Sequence, residues 1–348
     1  MTINVYYAIL IRMWTEIQDT LTGILPSKKK TASSGWISFN APCCVHHGET
    51  PDTRGRGGVI FNGQGTVNYH CFNCSYKANY TPGRLLNYKF KKLLSWFGAD
   101  DAVVNRLVIE AMRIKDLVGP DDIVEAPKEE VQINARSLPK DLINLTDARP
   151  LFNELPVELQ RAINYMDDRK VNLEKYPAYW TSDKANNMHR RVIVPVIWRK
   201  KIMGYTARAV DSNVKPKYHN NYESKLVFNL DMQEHDNEIA IVCEGPFDAL
   251  AIDGVATLGN TINDIQADLI DNLDKHIIVV ADADEAGAGL IKVALKHGWS
   301  VSFPVWQSDY KDISEAVQQL GKLFVLKTII DGVETNPLKI KLRRKINV

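Results

Sequence analysis

The chain has 348 residues, 45% hydrophobic and 24% charged, with 43 basic and 42 acidic side chains and a net charge of +1. That length supports two or three domains with real cores. The charge balance excludes a uniformly basic nucleic-acid coat, while allowing basic surface to be segregated from an acidic centre.

At the amino end, INVYYAILIRMW is apolar but broken by Arg12, with no basic leader before it and no small-residue cleavage site after it. It reads as an amphipathic helix, not a signal peptide. No run reaches the roughly 18 apolar residues that span a bilayer, so a soluble, cytoplasmic protein is expected. Residues 1–35 form this helical segment and end in the polar joint SKKKTASS.

WISFN alternates apolar and polar residues as a half-buried strand does, and it leads into the cysteines. Four of the five lie between Cys43 and Cys74, which suits metal binding in a reducing compartment better than a disulfide framework. Cys43-x2-His46 and Cys71-x2-Cys74 form two knuckles, and thiolate and imidazole at such spacing are zinc ligands. The intervening GVIFNGQGTVNYH reads as two strands about a Gly-rich turn. The whole is a zinc ribbon holding one structural Zn2+, within a domain over residues 36–116. Cys44-x2-His47 meets the spacing equally well. Adjacent side chains are expected to diverge, so the preferred set is Cys43, His46, Cys71 and Cys74. His70 is a further candidate. Arg54 and Arg56 in TRGRGG either touch phosphate or form a solvated basic loop. TPGRLLNYKFKKLLSWFG has the Thr-Pro start and Gly stop of a helix.

Residues 117–139 hold three prolines and a charge cluster without periodicity, the marks of a linker. Residues 140–236 begin helical and become strand-rich and basic. HRRVIVPVIWRKKIMGYTARAVDSNVKPKYHN brings Arg190, Arg191, Arg208, Lys215 and Lys217 just upstream of an acidic region. From Ile239 strands alternate with helices, which implies parallel βα units over residues 237–330. IAIVC delivers Glu244, then a Gly-Pro turn, then Asp248 at a helix start. IIVVA delivers Asp282 and Asp284; VSFPVW is a third strand; Asp312 opens the next helix. In open α/β sheets, functional groups collect at the carboxyl ends of strands. Crowded carboxylates raise one another's pKa, and a hard divalent cation, Mg2+ or Mn2+, relieves that conflict while bridging to phosphate. Helix N-capping is the competing use of Asp248 and Asp312. Residues 331–348 are a basic tail.

EGPFDAL and DADEAG resemble the two signatures of the Toprim domain, and KDISEA its third acidic element. Preceded by a zinc ribbon, a linker and a basic strand-rich segment, they give a layout similar to bacterial-type DNA primases. Length and NYHCFNC look most like the primases of T-even-type bacteriophages. The resemblance covers about Asn40 to Ala316. It implies a multidomain α+β and α/β chain: a ribbon joined by a linker to a primase core made of a basic subdomain and an α/β Toprim domain. It implies RNA primer synthesis from ribonucleoside triphosphates on a single-stranded DNA template. Glu244, Asp282 and Asp284 would be catalytic and, with Asp312, would hold the magnesium. Arg190, Arg191, Arg208 in TARAV, and Lys215, Lys217 and Tyr218 in KPKY would grip template and nucleotide, although TARA replaces the usual Gly-Arg pair. No G-x-x-x-x-G-K-[ST] loop occurs, so a replicative helicase in trans is implied, with a single-stranded-DNA-binding protein as a second partner and no membrane. The competing functions are a Toprim nuclease or topoisomerase-related enzyme, and a non-catalytic zinc-ribbon accessory that binds single strands.

Overall fold

Three five-stranded sheets follow one another along the chain. They are seen in a computed structural model that describes all residues except 1–14, 63–64, 118–130, 234–236, 260–261, 274, 283–284, 307–309 and 347–348. The expected helix over residues 3–14, most of the expected linker and Asp284 lie outside the described residues.

The first sheet is an antiparallel meander of β1 (Lys29–Thr31), β2 (Ile37–Phe39), β3 (Gly57–Phe61), β4 (Val67–Cys71) and β5 (Lys77–Tyr80). On β4, Val67, Tyr69 and Cys71 point inward while Asn68 and His70 point out, the period-2 pattern of a one-sided core. Helix α1 (residues 15–24) adds Ile17 and Leu21 to that core, and α2 (Tyr88–Trp96) and α3 (Asp101–Leu117) close it. Helix α2 starts later than the Thr-Pro pair suggests. Gly83 takes a left-handed φ of 89°, and Asn87 caps the helix by accepting from the Phe90 N–H at 2.8 Å.

The second sheet comprises β6 (Leu142–Asn144), β7 (Tyr179–Thr181), β8 (Arg191–Trp198), β9 (Lys201–Ala209) and β10 (Tyr218–Asn221), all antiparallel. Helices α4 (Leu145–Ala148) and α5 (Val157–Asp168) follow β6.

The third sheet has β11 (Ile239–Cys243) between β12 (Val255–Ala256) and β13 (His276–Val279), then β14 (Ser300–Ser302) and β15 (Val333–Glu334). Its first four strands are parallel and β15 is antiparallel. Covered on both faces, its central strands β11 and β13 are near-continuous apolar runs. On one face lie α6 (Pro246–Ile252), α9 (Ile313–Leu320) and α10 (Lys322–Asp331), and on the other α7 (Asp264–Asp271) and α8 (Glu285–His297). The segment read as a basic tail supplies β15 and a helix α11 (Pro337–Ile346), whose Ile340 is fully buried. One apolar core runs from α5 and β8 through β11 and α6 to α9 and α10. The basic sheet and the acidic sheet are thereby joined through one core.

Candidate active site and metal centre

The thiols of Cys43, Cys44, Cys71 and Cys74 lie within 4.8 Å of one another. Cys43 Sγ is 3.4 Å from Cys74 Sγ, and Cys44 Sγ is 3.5 Å from Cys71 Sγ. Sulfurs on a tetrahedral zinc with Zn–S bonds of about 2.3 Å stand roughly 3.8 Å apart, so the donor set fits that ion. Asn73 Nδ2 donates to Cys44 Sγ at 3.3 Å, and Tyr69 Oη lies 3.2 Å from Cys43 Sγ. The sulfurs ionise unequally. Hydrogen bonding to Cys43, then to Cys74, holds the Cys71 thiol low, and its bonds to Cys71 and then Cys74 hold Cys43 high. A cation shared by the four sulfurs would displace those protons.

The gathering of both adjacent cysteines departs from the sequence expectation. Cys43 has helical backbone angles and Cys44–His47 is a short 3-10 helix. Side chains neighbouring on such a helix are separated by roughly 120°, not by the 180° of a strand, and two short thiols both reach the centre. His46 is turned away and stacks on Trp96 with ring centroids 4.6 Å apart. His47 packs on Tyr76 at 4.9 Å, and its buried Nε2 has no hydrogen-bond partner. Burial, aided by Lys92, pushes its pKa down to about 4. His70 sits outside the cluster against the exposed ring of Phe72, at 4.2 Å. Arg56 is occupied by Asp52 at 3.0 Å, and Arg54 is exposed.

The second site lies at the carboxyl edge of the third sheet. Glu244 follows β11 directly, and the N–H of Asp282, just beyond β13, donates to Glu244 Oε1 at 3.3 Å. Two glycines allow close approach here. A Cβ on Gly245 would meet the Asp248 carboxylate at 2.5 Å, and one on Gly287 would meet the Asp282 carbonyl at 2.0 Å. Asp312 caps α9 by accepting from the Glu315 N–H at 2.8 Å. Asp248 accepts from the Ser314 N–H at 2.9 Å, so both aspartates do serve the end of α9. Burial first, then Asp312, pushes the Asp248 pKa up to about 7. After burial, Asp248, Asp282, Glu244 and Asp312 all raise the Cys243 thiol at the end of β11. The four carboxylates therefore all bear on the Cys243 end of β11. Carboxyl groups under such mutual repulsion are a donor set that a divalent cation stabilises.

Facing these acids is a cationic, aromatic wall. The guanidinium of Arg208 lies 4.9 Å from the Tyr218 ring and 5.4 Å from the Phe247 ring, and it donates to Tyr218 Oη. Arg169 lies 4.8 Å from Tyr165 and 5.3 Å from Phe247, and donates to Ser314 Oγ at 2.5 Å. Phe247 thus lies within reach of both guanidiniums. Lys217 is exposed beside them; burial of part of it, then Arg208, lowers its pKa. Arg169 Nε and Tyr165 Oη are buried without hydrogen-bond partners. Lys215 is exposed.

Arg190 and Arg191 have other work. Arg190 is paired with Asp211 at 2.7 Å and with Asn213 at 2.8 Å. Arg191 is fully buried and donates to the carbonyls of Pro216, Asn186, Lys217 and Ala207. It braces the KPKY segment through the Pro216 and Lys217 carbonyls. Sequence reading missed Arg169 and Tyr165. Their i,i+4 spacing at the end of α5, which suits a ring and a cation on one helix face, is the signal that would have found them.

Residues 241–317 match a family model described as Toprim-like. The DNA primase of Aquifex aeolicus is 29% identical over 176 residues, covering 45% of this chain and 35% of the relative. The DNA primase of Legionella pneumophila is 25% identical over 322 residues, covering 78% of this chain and 50% of the relative. The chain thus spans only about a third to a half of the length of these relatives. A crystal structure of the zinc-binding and RNA polymerase domains of the Aquifex aeolicus primase covers 93% of this chain at 17% identity, with a TM-score of 0.41.

Proposed function

We propose that the chain is a DNA primase that builds short RNA primers on single-stranded DNA. The observation that carries this reading is the edge of the Toprim-like sheet. There Glu244, Asp248, Asp282 and Asp312 all bear on the end of β11, beside Arg169, Arg208 and Lys217 and joined to them through a shared core. The cations bind the triphosphate of an incoming ribonucleotide, and Tyr218 and Phe247 hold the guanidiniums in place. The primer 3′-hydroxyl attacks the α-phosphorus. A new P–O bond forms, the bond to the β-phosphate breaks, and pyrophosphate leaves. Glu244 accepts the hydroxyl proton, a role that contributes about 10²–10⁴-fold. Asp282, Glu244 and Asp312, together with Asp284, would hold Mg2+ or Mn2+, which when bound neutralises charge developing on the phosphoryl oxygens. The four thiols would hold one Zn2+ that staples the ribbon. A replicative helicase acting in trans and a single-stranded-DNA-binding protein are the partners this role calls for. Among the described residues no helix is long and apolar enough to cross a membrane.

The deciding experiment incubates the chain with single-stranded templates, magnesium and labelled ribonucleoside triphosphates. Labelled oligoribonucleotides are expected. A shortened template without incorporation would mean a nuclease, and template binding with neither product would mean a non-catalytic accessory.

A further inference from the structure

An apolar groove of about 750 Å³ lies between α8 and α11, within the size range of ligand sites. We propose that it docks an acidic, amphipathic helical segment of a partner protein. The groove stands apart from the candidate active site, and its role does not depend on the reaction assigned there.

The groove follows from the way α11 is anchored. Asn336 starts the helix by accepting from the N–H groups of Leu338 at 2.9 Å and Lys339 at 3.2 Å. Ile340 is fully buried in the core that α7 and α8 form on the third sheet. Leu338 and Leu342 lie two positions to either side of it. At 3.6 residues per turn they stand roughly 200° round the helix from Ile340. They therefore turn away from that core and are 70% and 56% exposed. On α8, Ile291 and Leu295 reach the groove from the other side, one turn apart. Aliphatic side chains at i,i+4 spacing on two neighbouring helices form a trough. Such a trough accepts the apolar stripe of a third helix, with anchors at i, i+3, i+4 and i+7.

Charge decides the occupant. Lys292 of α8 and Lys341 and Arg344 of α11 rim the trough, and among the described residues no carboxylate lines it. Arg344 donates to the Ala288 carbonyl at 3.5 Å. Lys292 and Lys341 are exposed and, among the described residues, have no ion-pair partner. Cations around an apolar floor complement carboxylates around an apolar stripe. A second copy of this chain would bring the same three cations against these. A phosphate backbone would satisfy the rim and leave the leucines in water. A membrane surface is flat and would meet a trough only at its edges.

The position suits a docking surface. Helix α8 begins just past Asp282 and reaches the groove at Ile291, about 9 Å along its axis. The core shared with the basic sheet lies on the other face, with α6, α9 and α10. A partner seated on α8 and α11 leaves both the carboxyl edge and the basic sheet uncovered.

The probe is a fluorescein-labelled peptide of about four helical turns, with leucine at i, i+3, i+4 and i+7 and glutamate elsewhere. It is titrated by anisotropy against the full chain, and micromolar binding is expected. Lys292→Glu and Lys341→Glu should each weaken binding about fivefold or more, because reversal turns an attraction into a repulsion. Leu338→Gln combined with Leu342→Gln should weaken it about tenfold or more. All four positions are exposed, so the thermal midpoint by circular dichroism should stay at the wild-type value. A polyglutamate of equal length without leucine should bind about tenfold more weakly or worse. Undetectable binding of the probe, equal binding by wild type and variants, or equal binding of polyglutamate would overturn the proposal. It would also fall if the leucine variant lost affinity for a single-stranded oligonucleotide or for phosphatidylglycerol vesicles but kept its affinity for the probe. A wild type that sediments as a dimer, with the leucine variant a monomer, would give the groove to a second copy and overturn it as well.

Discussion

Replacing Arg191 with methionine separates a structural arginine from a phosphate-gripping one. Its guanidinium is fully buried and donates to four carbonyls, the one on Pro216 at 2.8 Å and the others at 3.3 to 3.4 Å. A charged hydrogen bond contributes about 1.5–3 kcal/mol, and a buried acceptor left unpaired costs about 1–3 kcal/mol. The short bond contributes most, and the longer three together contribute a similar amount, for a loss of about 3–5 kcal/mol on the scale of a broken buried polar network. The two sheets that share a core form a unit of roughly 200 residues, for which each kcal/mol moves Tm by about 2–4 °C. Arg191→Met should therefore lower the midpoint of thermal unfolding, followed by circular dichroism, by about 6–20 °C. Primer synthesis, assayed well below the new midpoint, should fall because Lys215, Lys217 and Tyr218 lose their brace. An unchanged midpoint with abolished nucleotide or DNA binding would refute the reasoning and return Arg191 to the substrate surface.

Three further outcomes are expected. Cys43→Ser should reduce bound zinc below one per chain by atomic absorption, while His46→Ala should leave it unchanged. Full zinc in Cys43→Ser would instead hand the fourth position to His47, whose buried Nε2 lacks a partner. Glu244→Gln should slow primer synthesis about 10²–10⁴-fold, and Asp282→Asn should abolish it with zinc content intact. Synthesis retained by Asp282→Asn would remove this carboxylate from the reaction. Asp248 holds its proton up to about pH 7 against an ordinary 3.8. The folded chain then binds more protons than the unfolded one between those values, so this group makes stability fall as pH rises across that window. The contribution is at most about 4 kcal/mol. In EDTA, Asp248→Asn should be more stable than wild type above pH 7, and the two should converge below pH 4. Parallel denaturation curves across that range would show that Asp248 is not crowded.

Much of this architecture is legible in local pattern. IAIVC and HIIV are apolar because both faces of a parallel sheet are covered, and the acids stand just past their ends, where the loops of such a sheet gather. The thiol set was half legible. Spacing identifies the two knuckles, but which of Cys43, Cys44, His46 and His47 turns inward depends on a single turn of 3-10 helix that no periodicity reports. The basic segment was least legible. Charge alone does not distinguish Arg191, sealed beneath KPKY, from Arg208, set over Phe247. Only the position of each residue along β8 and β9, and the core that presses those strands on α6, separates them. Arg169 escaped notice for the same reason: it meets Ser314 across 145 positions of sequence.

The joining of the two sheets through one core has a consequence for how the two substrates depend on metal. Among the described residues around the candidate active site, Arg169, Arg208 and Lys217 confront Glu244, Asp282, Asp312 and an Asp248 that is about half ionised near pH 7. The fixed charges nearly cancel, so the protein by itself offers a triphosphate little net attraction. A divalent cation among the carboxylates tips the balance, and by linkage nucleotide and cation must then strengthen each other's binding by the same factor. Under the primase reading a single strand is held at the ribbon, away from these carboxylates, and its binding there should be indifferent to the cation beyond ordinary screening. Titrating a fluorescent ribonucleoside triphosphate with and without magnesium, beside an anisotropy titration of labelled single-stranded DNA, tests the contrast. Magnesium should tighten nucleotide binding at least tenfold and leave DNA affinity within about twofold at matched ionic strength. Arg169→Ala should weaken nucleotide binding about 10–150-fold, the equivalent of one charged hydrogen bond, without altering DNA affinity. Equal magnesium dependence of the two ligands, or equal sensitivity of both to Arg169→Ala, would mean that they share one site and that basic and acidic surfaces are not segregated in this chain.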